Sequence, residues 1–265
     1  MRNPFEPDVA YNAAAFRADW DVPSLNAALV DKLSAVIEKR ASSTDSDERK
    51  IQVVLGQPGT GKTHLLGRIV HEMDRDVLCV FVGPLEDPFH GEPQVRREFV
   101  EMLFSSVDAG KASRIELILA GLCRQSFLEY FSWLPEGLAQ RHDQVGNRLR
   151  RDDDVVLEIV TKARSTGNLQ AFRLLADSIV SRHPELNSAV VRALSLAWSP
   201  ASNSVRAWLR GESLSEEEIG RTGLCDEAPS LVDMVRAVQA AAGYCLPIVF
   251  FFDNMENVLA HAGTE

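Results

Sequence analysis

The chain is poor in the features that mark secreted, zinc-binding and membrane proteins. It has only four cysteines in 265 residues, and no two form a C-x-x-C pair. Widely spaced single cysteines are typical of reduced thiols, so we expect neither a disulfide framework nor a metal site built on Cys79, Cys123, Cys225 or Cys245. No apolar run approaches the roughly 18 residues that a membrane helix needs, and the first residues lack the apolar core of a signal peptide. We therefore expect a cytoplasmic protein with no membrane partner.

Basic residues are also few in comparison with acidic ones. The chain has 28 lysines and arginines against 38 aspartates and glutamates, which gives a formal net charge of −10. This charge argues against a broad surface that coats nucleic acid. The hydrophobic share of 45% is ordinary for a globular protein. The length allows one or two domains, each with a sizeable core.

One glycine-rich motif carries the strongest functional signal. The segment Gly56-Gln57-Pro58-Gly59-Thr60-Gly61-Lys62-Thr63 fits the phosphate-binding pattern G-x-x-x-x-G-K-[ST]. Glycines let the backbone curl around a phosphate chain and turn several N–H groups inward, and the N-terminus of the next helix adds partial positive charge. We expect Lys62 to reach the β- and γ-phosphates and the Thr63 hydroxyl to bind Mg²⁺. His64 completes the nucleotide-binding stretch, without an expected chemical role of its own.

Three short apolar runs predict parallel strands, at 51–55, 77–82 and 248–253. Uninterrupted apolar runs of this length are typical of strands that are buried on both faces of a parallel sheet. The first run leads directly into the phosphate loop, which makes an accidental match of the motif less plausible. The third run ends in Asp253, and we expect this carboxylate to hold the Mg²⁺ that Thr63 binds.

The residues after Asp253 leave two alternatives open. Many nucleotide-hydrolysing proteins have a glutamate next, which orients the attacking water, but this chain has Asn254 there and Glu256 two residues later. An asparagine can position water but cannot accept its proton, so Glu256 is the candidate base. In the alternative interpretation, Asn254 and Glu256 only cap the following turn.

Helical periodicity dominates the sequence between the second and third apolar runs. The predicted helices lie at about 93–107, 112–131, 153–165, 168–182, 186–198, 200–210 and 229–243, and another begins at a Ser24 cap and continues to about Arg40.

The expected fold class is then α/β, a three-layer P-loop NTPase core with a parallel sheet and a large, mostly helical insertion. Its expected parts are an N-terminal arm (1–23), the first part of the P-loop core (24–83), the helical insertion (84–245), and a last part (246–265). The last part contains the Walker B strand, which is the predicted strand that ends in Asp253, and the end of the core.

Two further stretches carry a resemblance to a known group of proteins. One is Ala207-Trp208-Leu209-Arg210-Gly211-Glu212-Ser213-Leu214, followed by Gly223-Leu224. The other is the segment 242–257, in which a Gly-Tyr pair precedes the apolar run that ends in Asp253. Together with the phosphate loop they resemble the BREX-type ATP-binding proteins of bacterial phage-defence islands, within the wider AAA+ and STAND-like ATPases.

The resemblance implies an ATPase that uses ATP and Mg²⁺ as a switch or remodeller in a phage-defence or DNA-associated complex. It implies other protein subunits or self-association, with DNA reached through partners. The expected catalytic residues are those given by the motifs, Lys62, Asp253 and Glu256. ATPases of this class have two more strands after the Walker B strand, with a sensor residue and an arginine-bearing lid. We therefore expect a fragment of a longer protein, or strands supplied by a partner. Together with Asn254, this leaves open a second function, a nucleotide-gated interaction module with little or no hydrolysis.

Overall fold

The computed structural model describes a mixed helix-and-sheet chain that is mostly helical. The Met1–Phe99 and Tyr244–Glu265 segments belong to one compact unit, called the first unit below, and Val100–Gly243 form the second unit. The described residues are 21–22, 24–41, 51–57, 60–73, 77–85, 87, 90–106, 113–120, 161–162, 165, 169–182, 184–225, 227–242, 247–253 and 255. Nearly all of the predicted arm and of the predicted helix 153–165 lies outside these residues.

The sheet of the first unit consists of two parallel strands. Strand β1 (Leu78–Val82) pairs with β2 (Ile248–Phe252), with Leu78 opposite Ile248 and Val82 opposite Phe252. This confirms the parallel strands predicted from the second and third apolar runs. Four of the five residues of β1 are buried, as expected for a strand that is covered on both faces.

The strand predicted at 51–55 is wrong for this structure. Residues 51–57 are described but form no strand, and no ladder hydrogen bond joins 51–55 to any other described residue. Ile51, Val53 and Leu55 are 88%, 71% and 83% exposed, and only Val54 packs against the apolar core of the first unit. An apolar run becomes a strand only where a neighbouring strand supplies hydrogen-bond partners, and the sequence pattern does not show whether that neighbour is present.

Helices cover both faces of this small sheet. Successive strand residues point to opposite faces, and Cys79 and Phe251 pack into one cluster with α1 (Ala27–Ala41) and α2 (Lys62–Met73). On the other face, Phe250 meets Phe99 of α3 (Glu92–Phe104), with ring centroids 5.8 Å apart. The buried residues of the shared cluster are Val30, Ile37, Leu65, Ile69, Met73, Val77, Cys79 and Phe251.

Helix α1 begins later than the predicted Ser24 cap. Its first helical hydrogen bond runs from the Val30 N–H to the Asn26 carbonyl at 3.0 Å, and Asn26 has a φ of 58°. Asparagine adopts this left-handed conformation more readily than most residues, so the chain can turn there and enter the helix at Ala27. The rest of the predicted helix is confirmed.

In the part of the second unit that the structure describes, helices are joined by turns and loops, and β-type pairing is confined to an isolated bridge between Ser106 and Ser113. Trp198 and Trp208 are 2% and 1% exposed and therefore belong to the core. No helix among the described residues of either unit is long and apolar enough to cross a membrane. The longer helices among the described residues of the second unit are a segment at 114–120, α4 (Leu169–Arg182), α5 (Ser188–Leu196), α6 (Ser202–Leu209), α7 (Glu216–Thr222) and α8 (Leu231–Ala241).

Helix α7 is the element that the sequence analysis missed, because seven residues are too few to establish a helical period. Its signal was nevertheless present in the sequence. Ser215 accepts a hydrogen bond from the Glu218 N–H at 3.3 Å, and the Glu218 carboxylate accepts one from the Ser215 N–H at 3.0 Å. This reciprocal capping box has the sequence signature S-x-x-E, and Gly223 ends the helix with a φ of 70°.

Candidate functional site

The glycine-rich motif ends inside the first turn of α2, which begins at Lys62. The first hydrogen bond into the helix runs from the Leu65 N–H to the Gly61 carbonyl at 2.9 Å. The N–H groups in the first turn of a helix point out of its N-terminal end. The first turn contains no acidic residue, so the partial positive charge of the helix N-terminus is not cancelled by its own side chains.

Two glycines are required by the conformation of the loop. Gly61 has a φ of 83°, where a side chain would be strained although nothing lies within 4 Å of the position of its Cβ. At Gly56 a Cβ would lie 2.7 Å from the Thr60 hydroxyl oxygen, which is too close. That hydroxyl donates to the Gln57 carbonyl at 2.8 Å, so the loop folds tightly back on itself.

The Lys62 side chain curls back over the loop that precedes it. Its ammonium donates hydrogen bonds to the Gly56 carbonyl at 2.9 Å and to the Gln57 carbonyl at 3.3 Å. Both acceptors are neutral carbonyl oxygens, and together they hold the ammonium at the loop. The loop thus combines a side-chain cation with the N-terminus of α2.

The structure brings Thr63 and Asp253 together, the two residues predicted to bind a metal. The Thr63 hydroxyl donates to Asp253 Oδ2 at 2.5 Å across 190 residues of sequence. Asp253 follows the last residue of β2, and its N–H donates to the Val82 carbonyl of β1 at 3.0 Å. This backbone bond fixes the carboxylate at the carboxyl edge of the sheet, where it is only 6% exposed.

The remaining predicted site residues divide into those that are placed and those that are not described. Thr60 and Gln57 lie within the loop, as described above. Pro58, Gly59, Asn254 and Glu256 lie outside the described residues.

His64 lies beside a residue that the sequence analysis did not select. Its Nε2 atom is 2.9 Å from Asp21 Oδ1, and Arg68 Nε is 3.6 Å from the other carboxylate oxygen of Asp21. The hydrogen bond to Glu72, aided by the charge of Asp21, raises the pKa of Arg68. The spacing of His64 and Arg68 on one helix face could have indicated that they share a carboxylate, but not which carboxylate.

The Trp-Leu-Arg-Gly-Glu segment that carried part of the resemblance is bound within the second unit. The Trp208 indole donates to the Cys225 carbonyl at 2.8 Å. Arg206 and Arg210, one turn apart on α6 and its C-terminal cap, both form ion pairs with the Glu101 carboxylate. Arg206 also lies 5.6 Å from the ring centre of Phe104. The described contacts of this segment are those of a structural junction between helices.

Among the described residues, no group of three or more histidine, cysteine, aspartate and glutamate side chains is arranged to hold a metal ion. Comparisons of the chain with protein-family models, with curated proteins and with solved structures find no match. The function is therefore inferred from the geometry of the site.

Proposed function

We propose that the chain binds ATP together with Mg²⁺, through the segment 56–64 and Asp253. The observation that carries this proposal is the 2.5 Å hydrogen bond between the Thr63 hydroxyl and the Asp253 carboxylate. Each residue ends its own sequence motif, and the two motifs are far apart in the chain. A phosphate-loop match alone, or an apolar run ending in aspartate alone, is weaker support than their contact.

The donor atoms fit a magnesium-bound polyphosphate. Mg²⁺ prefers oxygen ligands, and in nucleotide sites it is held by one or two protein groups together with phosphate oxygens. Thr63 and Asp253 supply a hydroxyl and a carboxylate. Lys62 supplies a cation that can exchange its carbonyl partners for phosphate oxygens, and the first turn of α2 supplies N–H donors. The bound metal ion would neutralise part of the charge on the phosphates.

We further propose that the protein hydrolyses ATP to ADP and phosphate, with Glu256 orienting or deprotonating the attacking water. The alternative is a nucleotide-gated interaction module that holds ATP and seldom cleaves it. Asn254 favours this alternative, because its amide can bind water but cannot take up a proton. Both functions use the same binding residues, so they differ only in the rate of cleavage.

The biological setting is proposed from the resemblance of the sequence. A P-loop NTPase core with a mostly helical insertion would act as an ATP-dependent switch or remodeller in a bacterial phage-defence or DNA-associated complex. Other subunits or a second copy of the chain would be its direct partners in the cytoplasm, with DNA reached through them.

Calorimetric titration of the full chain with Mg–AMP-PNP tests the binding proposal. Lys62→Ala should weaken binding about 10- to 100-fold, because a hydrogen bond to a charged group contributes about 1.5–3 kcal/mol. Lys32→Ala is the matched control, since Lys32 is an exposed lysine of α1, outside the phosphate loop, and its loss should change nothing. If the wild-type chain does not bind, or if Lys62→Ala binds equally well, the proposal is wrong.

Steady-state phosphate release from ATP separates the two functions. Turnover that is lost in Lys62→Ala, and lowered in Glu256→Gln while binding is retained, supports the ATPase. Tight binding of Mg–ATP without turnover supports the interaction module instead.

A further inference from the structure

A short segment ahead of α1 is fastened to the same helix that begins in the phosphate loop. The Asp21 carboxylate contacts His64 at 2.9 Å and Arg68 at 3.6 Å, and the Leu25 carbonyl accepts a hydrogen bond from Arg68 at 3.5 Å. His64 and Arg68 are four residues apart, so they lie on one face of α2. Asp21 and Leu25 are therefore docked along the first two turns of that helix; with Val22 and Ser24 they are called the segment 21–25 below.

Polar contacts hold this segment more than apolar burial does. Val22 and Leu25 are 54% and 52% exposed, so their side chains contribute little burial. The side chains of Asp21 and Arg68 are each only 13% exposed, and that of His64 is 34% exposed. Charges that are sheltered to this degree are screened by salt less than surface pairs are. Docking of the segment therefore depends mainly on the Asp21 carboxylate.

The contact is adjacent to the atoms proposed to bind nucleotide. Asp21 holds the side chain of His64, and Asp253 holds the side chain of the preceding residue, Thr63. Two carboxylates from distant parts of the sequence thus fix neighbouring residues in the first turn of α2. The end of a helix is the part that frays and opens most easily.

We infer that Asp21 is a positioning residue for the nucleotide site, and that docking of the segment 21–25 is coupled to nucleotide binding. The inference rests on the proposed function. The phosphates require an ordered first turn in α2, and the contact between Asp21 and His64 orders that turn before the nucleotide arrives. The nucleotide then binds with a smaller loss of conformational entropy. By linkage, a bound nucleotide strengthens docking of the segment by the same factor.

The test measures both directions of this coupling in the full chain. Asp21→Ala should bind Mg–AMP-PNP about fivefold more weakly than the wild type. Glu72→Gln is the matched control, because Glu72 also contacts Arg68, at 2.9 Å, but belongs to α2 itself. This control should bind as the wild type does. His64→Ala, which keeps the backbone of the loop, is the second variant and should reproduce the effect of Asp21→Ala.

Hydrogen exchange of the peptide 22–30 distinguishes coupling from a purely structural role of Asp21, because a structural role alone would not make exchange there depend on nucleotide. Mg–AMP-PNP should slow exchange there in the wild type and in Glu72→Gln, but not in Asp21→Ala or His64→Ala. If the wild type binds nucleotide while both variants bind equally well, or if Glu72→Gln weakens binding as much as they do, the coupling is refuted and the proposed function stands. If the wild type does not bind, the proposed function fails, and this inference fails with it.

Discussion

The contact between Thr63 and Asp253 makes a quantitative prediction for the stability of the first unit. Thr63→Val keeps the branched shape of the side chain but removes the hydroxyl that donates to the carboxylate at 2.5 Å. A hydrogen bond to a charged group contributes about 1.5–3 kcal/mol, and Asp253 is 6% exposed, so water replaces the lost donor poorly. We expect the free energy of opening of the first unit to fall by this amount in the absence of nucleotide.

A double-mutant cycle isolates the contact from the other effects of each substitution. The cycle combines Thr63→Val with Asp253→Ala, and native-state hydrogen exchange of the β1 and β2 amides gives the free energy of opening. Exchange at these strands reports on the first unit alone, whereas denaturation of the whole chain would average two units. The expected coupling energy is about 1–2 kcal/mol, within the range found for residues in direct contact.

Thr60 provides the matched control for this cycle. It lies in the same loop, but its hydroxyl donates to the Gln57 carbonyl rather than to a carboxylate. Thr60→Val and Asp253→Ala should therefore have additive effects to within about 0.5 kcal/mol. Equal additivity for Thr63→Val would mean that the two side chains do not interact, and the main support for the proposed function would be lost.

Two further predictions concern the second unit. Hydrogen bonds from the Ser215 N–H and the Ser204 hydroxyl lower the pKa of Glu218 to about 2, so its stabilising effect should be complete above its ordinary pKa of 4.5 and lost as the pH falls from there through 2. Native-state hydrogen exchange of the α6 amides should then find the second unit of Glu218→Gln less stable than that of the wild type at pH 7 and nearly equal to it at pH 2, whereas a constant difference would contradict the assignment. In the same exchange measurement, Trp208→Ala should lower the free energy of opening of the second unit by about 3–5 kcal/mol, because the side chain is 1% exposed. Trp208→Phe should lower it by about 1 kcal/mol through loss of the hydrogen bond to Cys225, and similar losses for both variants would show that packing of the ring contributes little.

Much of the sheet could be predicted from local sequence patterns. The runs that became β1 and β2 are continuous and apolar, as is typical of strands in a parallel sheet, although four of the five residues of β1 but only one of the five residues of β2 are buried. The start of α2 could be predicted as well, because the phosphate-loop motif requires a helix directly after it. The contact between Asp253 and Thr63 could be predicted too. A Mg²⁺ ion bound by the Thr63 hydroxyl needs a second oxygen ligand from the protein, and the carboxylate of Asp253 was expected to supply it.

The parts that could not be predicted depend on what lies next to a residue in space. The run 51–55 has the composition of a strand, but composition does not supply the neighbouring strand that its backbone needs. Asp21 is one of many acidic residues, and nothing in its local sequence indicates that His64 and Arg68 lie beside it. A long-range contact between single side chains produces no periodic pattern in the sequence, so periodicity cannot predict it.

The pairing of β1 with β2 also has a consequence for how the protein is made. The paired strands lie about 170 residues apart in the chain, so the site cannot form until β2 has been synthesised. At ordinary rates of translation, roughly 10–30 s pass between the synthesis of β1 and the synthesis of β2. Closing so long a loop is entropically costly while the intervening chain is unfolded, and it becomes cheaper once that segment is compact. We therefore expect the second unit to fold first on the ribosome, with completion of the sheet and of the candidate nucleotide site as the late, rate-limiting step.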